Sequence, residues 1–140
     1  MKTTDSRFGA CLYFASNALA RKVEKLAVES WKPVGLSPSH AYLLMAVLQE
    51  PGMQPTQLAG ELQLQPSTVT RLMEKLEGLK LLQRTTEGKL TNVYPTPKAK
   101  AMLPAMQQCL QAFQARYTEA LGQHTGEKLA ADIGRIADRL

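Results

Sequence analysis

"PTQLAGELQLQPSTVTRLMEKL", residues 55–76, is the stretch whose reading decides the fold. It divides into a short helix, a tight turn and a second helix. Leu58, Ala59 and Leu62 give the first helix its apolar contacts. Val69, Leu72, Met73, Leu76 and Leu79 give the second an i, i+3, i+4, i+7 stripe. Off that stripe lie Ser67, Thr68, Thr70, Arg71 and Lys75. Such a face is polar and basic, with nothing bulky near its start. It suits the major groove, where hydroxyls and an Arg reach phosphates and base edges.

Working outward, residues 81–86 are strand-like, Glu87-Gly88-Lys89 reads as a turn, and residues 90–94 are strand-like again. A hairpin directly after a helix-turn-helix is a wing. Thr96 then offers a hydroxyl at the start of a new helix, and Pro97 suits its first turn. The expected class is mainly α with a small β-hairpin wing, a winged helix-turn-helix flanked by N- and C-terminal dimerisation helices.

These residues resemble the MarR family of bacterial transcriptional regulators. The phrases that carry the resemblance are "LSPSHAYLLMAVL" (36–48), "PTQLAGELQLQPSTVTRLMEKLEGLKLLQR" (55–84) and "YPTPKAKAM" (94–102). The resemblance implies a homodimer with one winged helix-turn-helix per subunit, bound to a pseudo-palindromic operator in double-stranded DNA. Three positions depart from the family pattern. Gln63 stands where members usually have Gly, and Gln65 is a poor N-cap for the second helix. The short wing turn also lacks the Asp-x-Arg that many members insert into the minor groove.

The chain has 140 residues, enough for one domain with a real core. Hydrophobic residues make up 44% and charged residues 21%, an ordinary balance for a globular protein. The net charge of +5 is the electrostatic footprint of a nucleic-acid binder, although many basic proteins bind none. No apolar run approaches the roughly 20 residues of a membrane span, and no signal-peptide pattern opens the chain. A cytoplasmic protein is expected, with Cys11 and Cys109 as thiols.

A single domain over 1–140 is expected, with the winged segment at about 36–95 and dimerisation helices at about 7–31 and 97–140. The first helix carries Phe8, Leu12, Ala15, Leu19, Val23 and Leu26 on one stripe. Ser37 and Pro38 open the next helix, which runs to Pro51-Gly52. The long helix from Pro97 should kink at Pro104, and a last helix should follow Gly126. The apolar faces of the terminal helices exceed what the small winged segment can cover. The surplus argues for burial against a second subunit.

The candidate DNA-contacting residues are Thr56, Gln57, Ser67, Thr68, Thr70, Arg71, Lys75, Arg84 and Lys89. Arg71 is placed to bond guanine or clamp a phosphate, and Lys75 to meet phosphate. Thr56 and Gln57 open a helix whose free N–H groups suit phosphate, or they simply cap it. Arg84 and Lys89 flank the wing turn, where a basic edge contacts phosphate or only blocks edge pairing.

Trp31, His40 and Tyr42 lie where the family often binds small aromatic effectors. Their plain alternative is core packing for the two aromatics and a surface position for His40. Cys11 and Cys109 read as small buried hydrophobes, or as the redox pair found in the peroxide-sensing branch of the family. No metal-ligand spacing, cofactor motif or catalytic constellation appears, so no cofactor, no metal and no enzymatic activity is expected.

The expected function is a dimeric, sequence-specific DNA-binding regulator, a repressor relieved by a small-molecule ligand. A thiol-based peroxide sensor of the same fold is one alternative. A winged-helix module that binds protein and not DNA is the other, since a fold alone does not decide function.

Overall fold

Gln63 adopts the left-handed conformation, φ 54° and ψ 43°, and this one residue turns the chain between the two helices of the motif. The computed structural model describes all of residues 1–140. Its helices are α1 (Leu12–Trp31), α2 (Pro38–Gln49), α3 (Pro55–Leu62), α4 (Pro66–Gly78), α5 (Pro97–Leu121) and α6 (Gln123–Asp138). Between α4 and α5 lie β1 (Leu82–Glu87) and β2 (Leu90–Pro95). The architecture is mainly helical with one two-stranded hairpin, as expected.

The chain divides into two compact units, residues 31–109 and residues 1–30 with 110–140. The first contains the winged motif together with Trp31 and the opening half of α5, so it reaches beyond 36–95 at both ends. Its core is built from Trp31, Leu43, Leu44, Val47, Leu58, Val69, Met73, Leu76, Val93 and Met106, all essentially sealed from solvent. Truncating one of the larger aliphatics, Leu76 for example, would cost about 2–5 kcal/mol through lost burial and the cavity left behind.

Local signals explain the boundaries. Ser37 caps α2 by accepting the His40 backbone N–H at 3.3 Å, and Pro38 takes the first helical position. Pro55 and Pro66 open α3 and α4 in the same way, where the missing N–H costs nothing. Gln65 gives α4 no side-chain cap. Both helices of the motif end in the same device. The Leu64 N–H reaches back to the Ala59 carbonyl and the Gln63 N–H to that of Gly60. Leu81 and Lys80 repeat the arrangement on Leu76 and Glu77. These are Schellman ends, in which the left-handed position normally falls to glycine. Here Gln63 and Lys80 (φ 61°) occupy it.

The hairpin pairs Leu82 with Pro95 and closes at Glu87 with Leu90. Gly88 and Lys89 are therefore the whole turn, and Gly88 supplies the positive φ that so tight a turn requires. A feature the sequence did not announce is a third strip of backbone. Met53 bridges to Val93, with the Val93 N–H donating to the Met53 carbonyl at 2.9 Å. Thr96 caps α5 as expected, accepting the Ala99 N–H, and its hydroxyl also donates to the Lys80 carbonyl at 2.7 Å. That second bond ties the start of α5 to the end of α4.

The helical unit departs from expectation at the starts of its first and last helices. The first helix begins at Leu12 and not near residue 7. Upstream, the Ser6 hydroxyl accepts the Phe8 N–H, and Gly9 sits where a Cβ would come within 2.9 Å of the Thr3 carbonyl oxygen. Such local side-chain bonding and a glycine both favour turns over helix. Cys11 is consequently just outside the helix, and it is exposed, which corrects the reading of a buried hydrophobe. Cys109 is buried, as that reading required. The last helix begins at Gln123, so Gly126 lies within it and not before it. α5 carries Pro104, where a kink is expected, inside its span.

Within this unit an apolar cavity of about 260 Å³ is lined by Leu19, Val23, Leu26, Phe113, Tyr117 and Ile133, among others. Phe113 and Tyr117 meet edge to face at 5.3 Å. Large apolar side chains remain on the outside, including Leu12 (69% exposed), Tyr13, Ile133 and Ile136 (53%).

Candidate nucleic-acid interface

The exposed face of α4 is built by helical geometry alone. Burying Val69, Leu72, Met73 and Leu76 leaves Ser67, Thr70, Arg71, Glu74 and Lys75 exposed along one side. Arg71 and Lys75 stand one turn apart, with Glu74 between them to reduce their repulsion. Thr68 is only half-exposed, at the margin of this face. The Thr70 hydroxyl donates to the Pro66 carbonyl at 3.0 Å, so it faces outward mainly as an acceptor.

Thr56 and Gln57 are both exposed at the start of α3. Gln57 is engaged in capping: its side-chain oxygen accepts the Gln54 N–H at 2.8 Å. Lys89 occupies the tip of the wing, exposed in the two-residue turn. Arg84 does not point its charge freely outward. Its guanidinium lies 2.8 Å from the Glu77 carboxylate, at the C-terminal end of α4.

His40 and Tyr42 do not share a face, because residues two apart on a helix point in different directions. The structure brings His40 to Lys75. Partial burial, and then the Lys75 ammonium, hold the His40 pKa below its ordinary 6.5. Its Nδ1 lies 2.5 Å from the Ser37 hydroxyl. His40 therefore belongs with the α4 face, a grouping that no sequence spacing could reveal. Trp31 and Tyr42 do meet, with ring centroids 6.1 Å apart and planes inclined at 59°. Trp31 is wholly buried, and its indole N–H has no hydrogen-bond partner.

Residues 34–89 match the sequence profile of the MarR family. This segment belongs to the MarR family. The match spans α2 through the wing turn, which are the elements that present the candidate surface. No curated protein matches the chain in sequence.

Solved structures resemble the chain over nearly its whole length. The transcriptional repressor CouR bound to p-coumaroyl-CoA superposes with a TM-score of 0.87 at 23% identity, covering 97% of this chain and 98% of that one. The same repressor bound to a 23-mer DNA duplex gives 0.86 at 23% identity, with 98% of each chain covered. A probable transcriptional regulator from Pseudomonas aeruginosa gives 0.85 at 19% identity, over 93% and 99%. At these identities the likeness is one of fold. No helix of the chain is long and apolar enough to cross a membrane.

Proposed function

We propose that this MarR-type chain is a dimeric, sequence-specific DNA-binding transcription regulator, a repressor relieved by a small-molecule ligand. The observation that carries the reading is the exposed polar and basic face of α4, with Ser67, Thr70, Arg71 and Lys75, on the same unit as a wing tipped by Lys89. Small hydroxyls and a bidentate donor on a protruding helix match the edges of base pairs. The net charge of +5 favours a polyanionic partner. The DNA-bound and p-coumaroyl-CoA-bound forms of a repressor of this fold support both halves of the proposal.

Homodimerisation is proposed through the helical unit, where Leu12, Tyr13, Ile133 and Ile136 present apolar surface to solvent. The same reading makes the chain a cytoplasmic binding protein and not an enzyme. For the effector, Trp31 and Tyr42 are the proposed contact region.

The test is binding to a random-sequence duplex library across a salt series. A steep fall of affinity with salt, together with an enriched pseudo-palindromic sequence, is the expected outcome. Absence of duplex binding at low salt would sink the DNA reading and leave a protein-interaction module.

A further inference from the structure

We propose that Glu77 is a positioning residue: by pairing with Arg84 it fixes the wing against the recognition helix and keeps the Arg84 charge away from DNA phosphate. The proposal rests on the DNA-binding reading above and deepens it.

The geometry is specific. Glu77 sits in the last turn of α4, and Arg84 lies on β1, opposite Val93 of β2. The two charges are 2.8 Å apart, with side chains only 29% and 35% exposed. Glu77 Oε1 has no surface of its own and makes no aligned hydrogen bond, so the contact is ionic in character. A carboxylate in the last turn of a helix is unfavourable against the helix dipole. The Arg84 charge offsets that. Between the two residues the chain reverses through the left-handed Lys80, and the Schellman bonds on Leu76 and Glu77 anchor only the first residues of the reversal. The ion pair reaches further, to the third residue of β1, and so restrains the hairpin's direction relative to α4.

The two partners are not equivalent, which makes the role testable. Removing Arg84 leaves Glu77 with a buried oxygen and no counter-charge. Removing the Glu77 charge leaves an Arg on the wing free to seek another anion. The nearest abundant anion in a complex with duplex is phosphate.

The experiment measures affinity against salt for the wild-type chain, Glu77→Gln, Arg84→Gln and the double variant. The probes are a duplex selected by the wild type from a random library and a scrambled duplex of equal composition. Circular dichroism confirms that each variant folds. Glu77→Gln is expected to steepen the log–log salt slope by about 0.9, one added phosphate contact. It should also narrow the selected-to-scrambled affinity ratio severalfold. Arg84→Gln should leave the slope at the wild-type value and narrow the same ratio. The double variant should return the slope to wild type.

A slope that falls by about one in Arg84→Gln would show Arg84 already on phosphate and overturn the proposal. So would a Glu77→Gln chain with wild-type slope and wild-type ratio. A wild-type chain that binds neither duplex at low salt overturns the DNA reading itself, an outcome distinct from either. If Glu77→Gln does not fold, Arg84→Gln decides: it removes the counter-charge, so a narrowed ratio at constant slope supports the strut, and an unchanged ratio overturns it.

Discussion

The ring of Tyr117 lies so close over Gly126 that a Cβ at 126 would come within 2.8 Å of its Cε1. Gly126 is thus a contact residue between α5 and α6, although a glycine in a helix interior carries an intrinsic penalty. Gly126→Ala should therefore lower stability by about 1–2 kcal/mol, overpacking outweighing the gain in helix propensity. The urea midpoint measures this, and sedimentation at micromolar concentration reports whether the proposed dimer loosens with it. A variant more stable than wild type would show that Tyr117 moves aside at no cost.

Gln63 and Lys80 hold left-handed backbone at the ends of the motif's two helices. A Cβ in that region is disfavoured, by about 1–2 kcal/mol for an ordinary residue. Gln63→Gly and Lys80→Gly should each stabilise the chain, by roughly 0.5–1 kcal/mol once the added freedom of the unfolded glycine is counted. The Gln63 side chain recovers part of its strain by donating to the Gly60 carbonyl at 2.8 Å. The larger gain is therefore expected at Lys80. Thermal unfolding of the two variants, compared directly, checks both sign and order.

Arg71→Ala should cost about 1–3 kcal/mol in binding to a selected duplex and relax preference at one position per half-site. Lys89→Ala should weaken selected and scrambled duplexes alike and flatten the salt slope. Gel-shift titrations on both duplexes separate the two effects. Unchanged affinity in both variants would mean that the recognition surface lies elsewhere.

His40 is predicted to make both stability and DNA affinity depend on pH, in opposite directions. Its pKa is below 6.5 in the folded chain, so the unfolded chain binds more protons between that lowered value and 6.5. Stability should be fullest above pH 6.5 and decline as pH falls through that window. On the proposed interface a phosphate near Lys75 would offset the ammonium that disfavours His40 protonation. Duplex affinity should then rise as pH falls from 7.5 to about 6, with uptake of a proton. His40→Asn should abolish both dependences in this range. An affinity that is flat with pH in the wild type would place His40 outside the interface.

Cys11 is exposed and Cys109 buried. A thiol reagent should therefore modify one cysteine per folded chain rapidly and the second only in urea. Oxidation should mark Cys11 first. A disulfide-linked dimer formed with organic peroxide would require Cα atoms within about 7 Å across the subunit interface. If such a band forms, disappears in Cys109→Ser and accompanies loss of duplex binding, the effector is an oxidant and not a ligand. Unchanged mobility and binding leave the ligand reading in place.

What the sequence determined by itself was whatever depends on near neighbours along the chain. The stripe from Val69 to Leu76 fixed which face of α4 is buried, and hence which side chains it presents. Ser37, Thr96 and the prolines marked helix starts, because capping is decided within four residues. The winged architecture followed from those elements in order. The turn at Gln63 was legible as a departure, and the backbone bears the strain there. Local bonding at Ser6 and Gly9 was legible in principle too, but the apolar stripe outweighed it and drew the first helix too long.

Only the tertiary structure decided which distant charges meet. Nothing in the spacing of His40 and Lys75, or in the wing position of Arg84, shows that one imidazole faces the recognition helix and one guanidinium faces Glu77. Gly126 under Tyr117 and Met53 beside Val93 are of the same kind. Periodicity tells a side chain which way to point relative to its own helix or strand. What it meets there is set by how the elements pack, and a long polar side chain can reach several alternatives whose energies differ by about 1 kcal/mol or less.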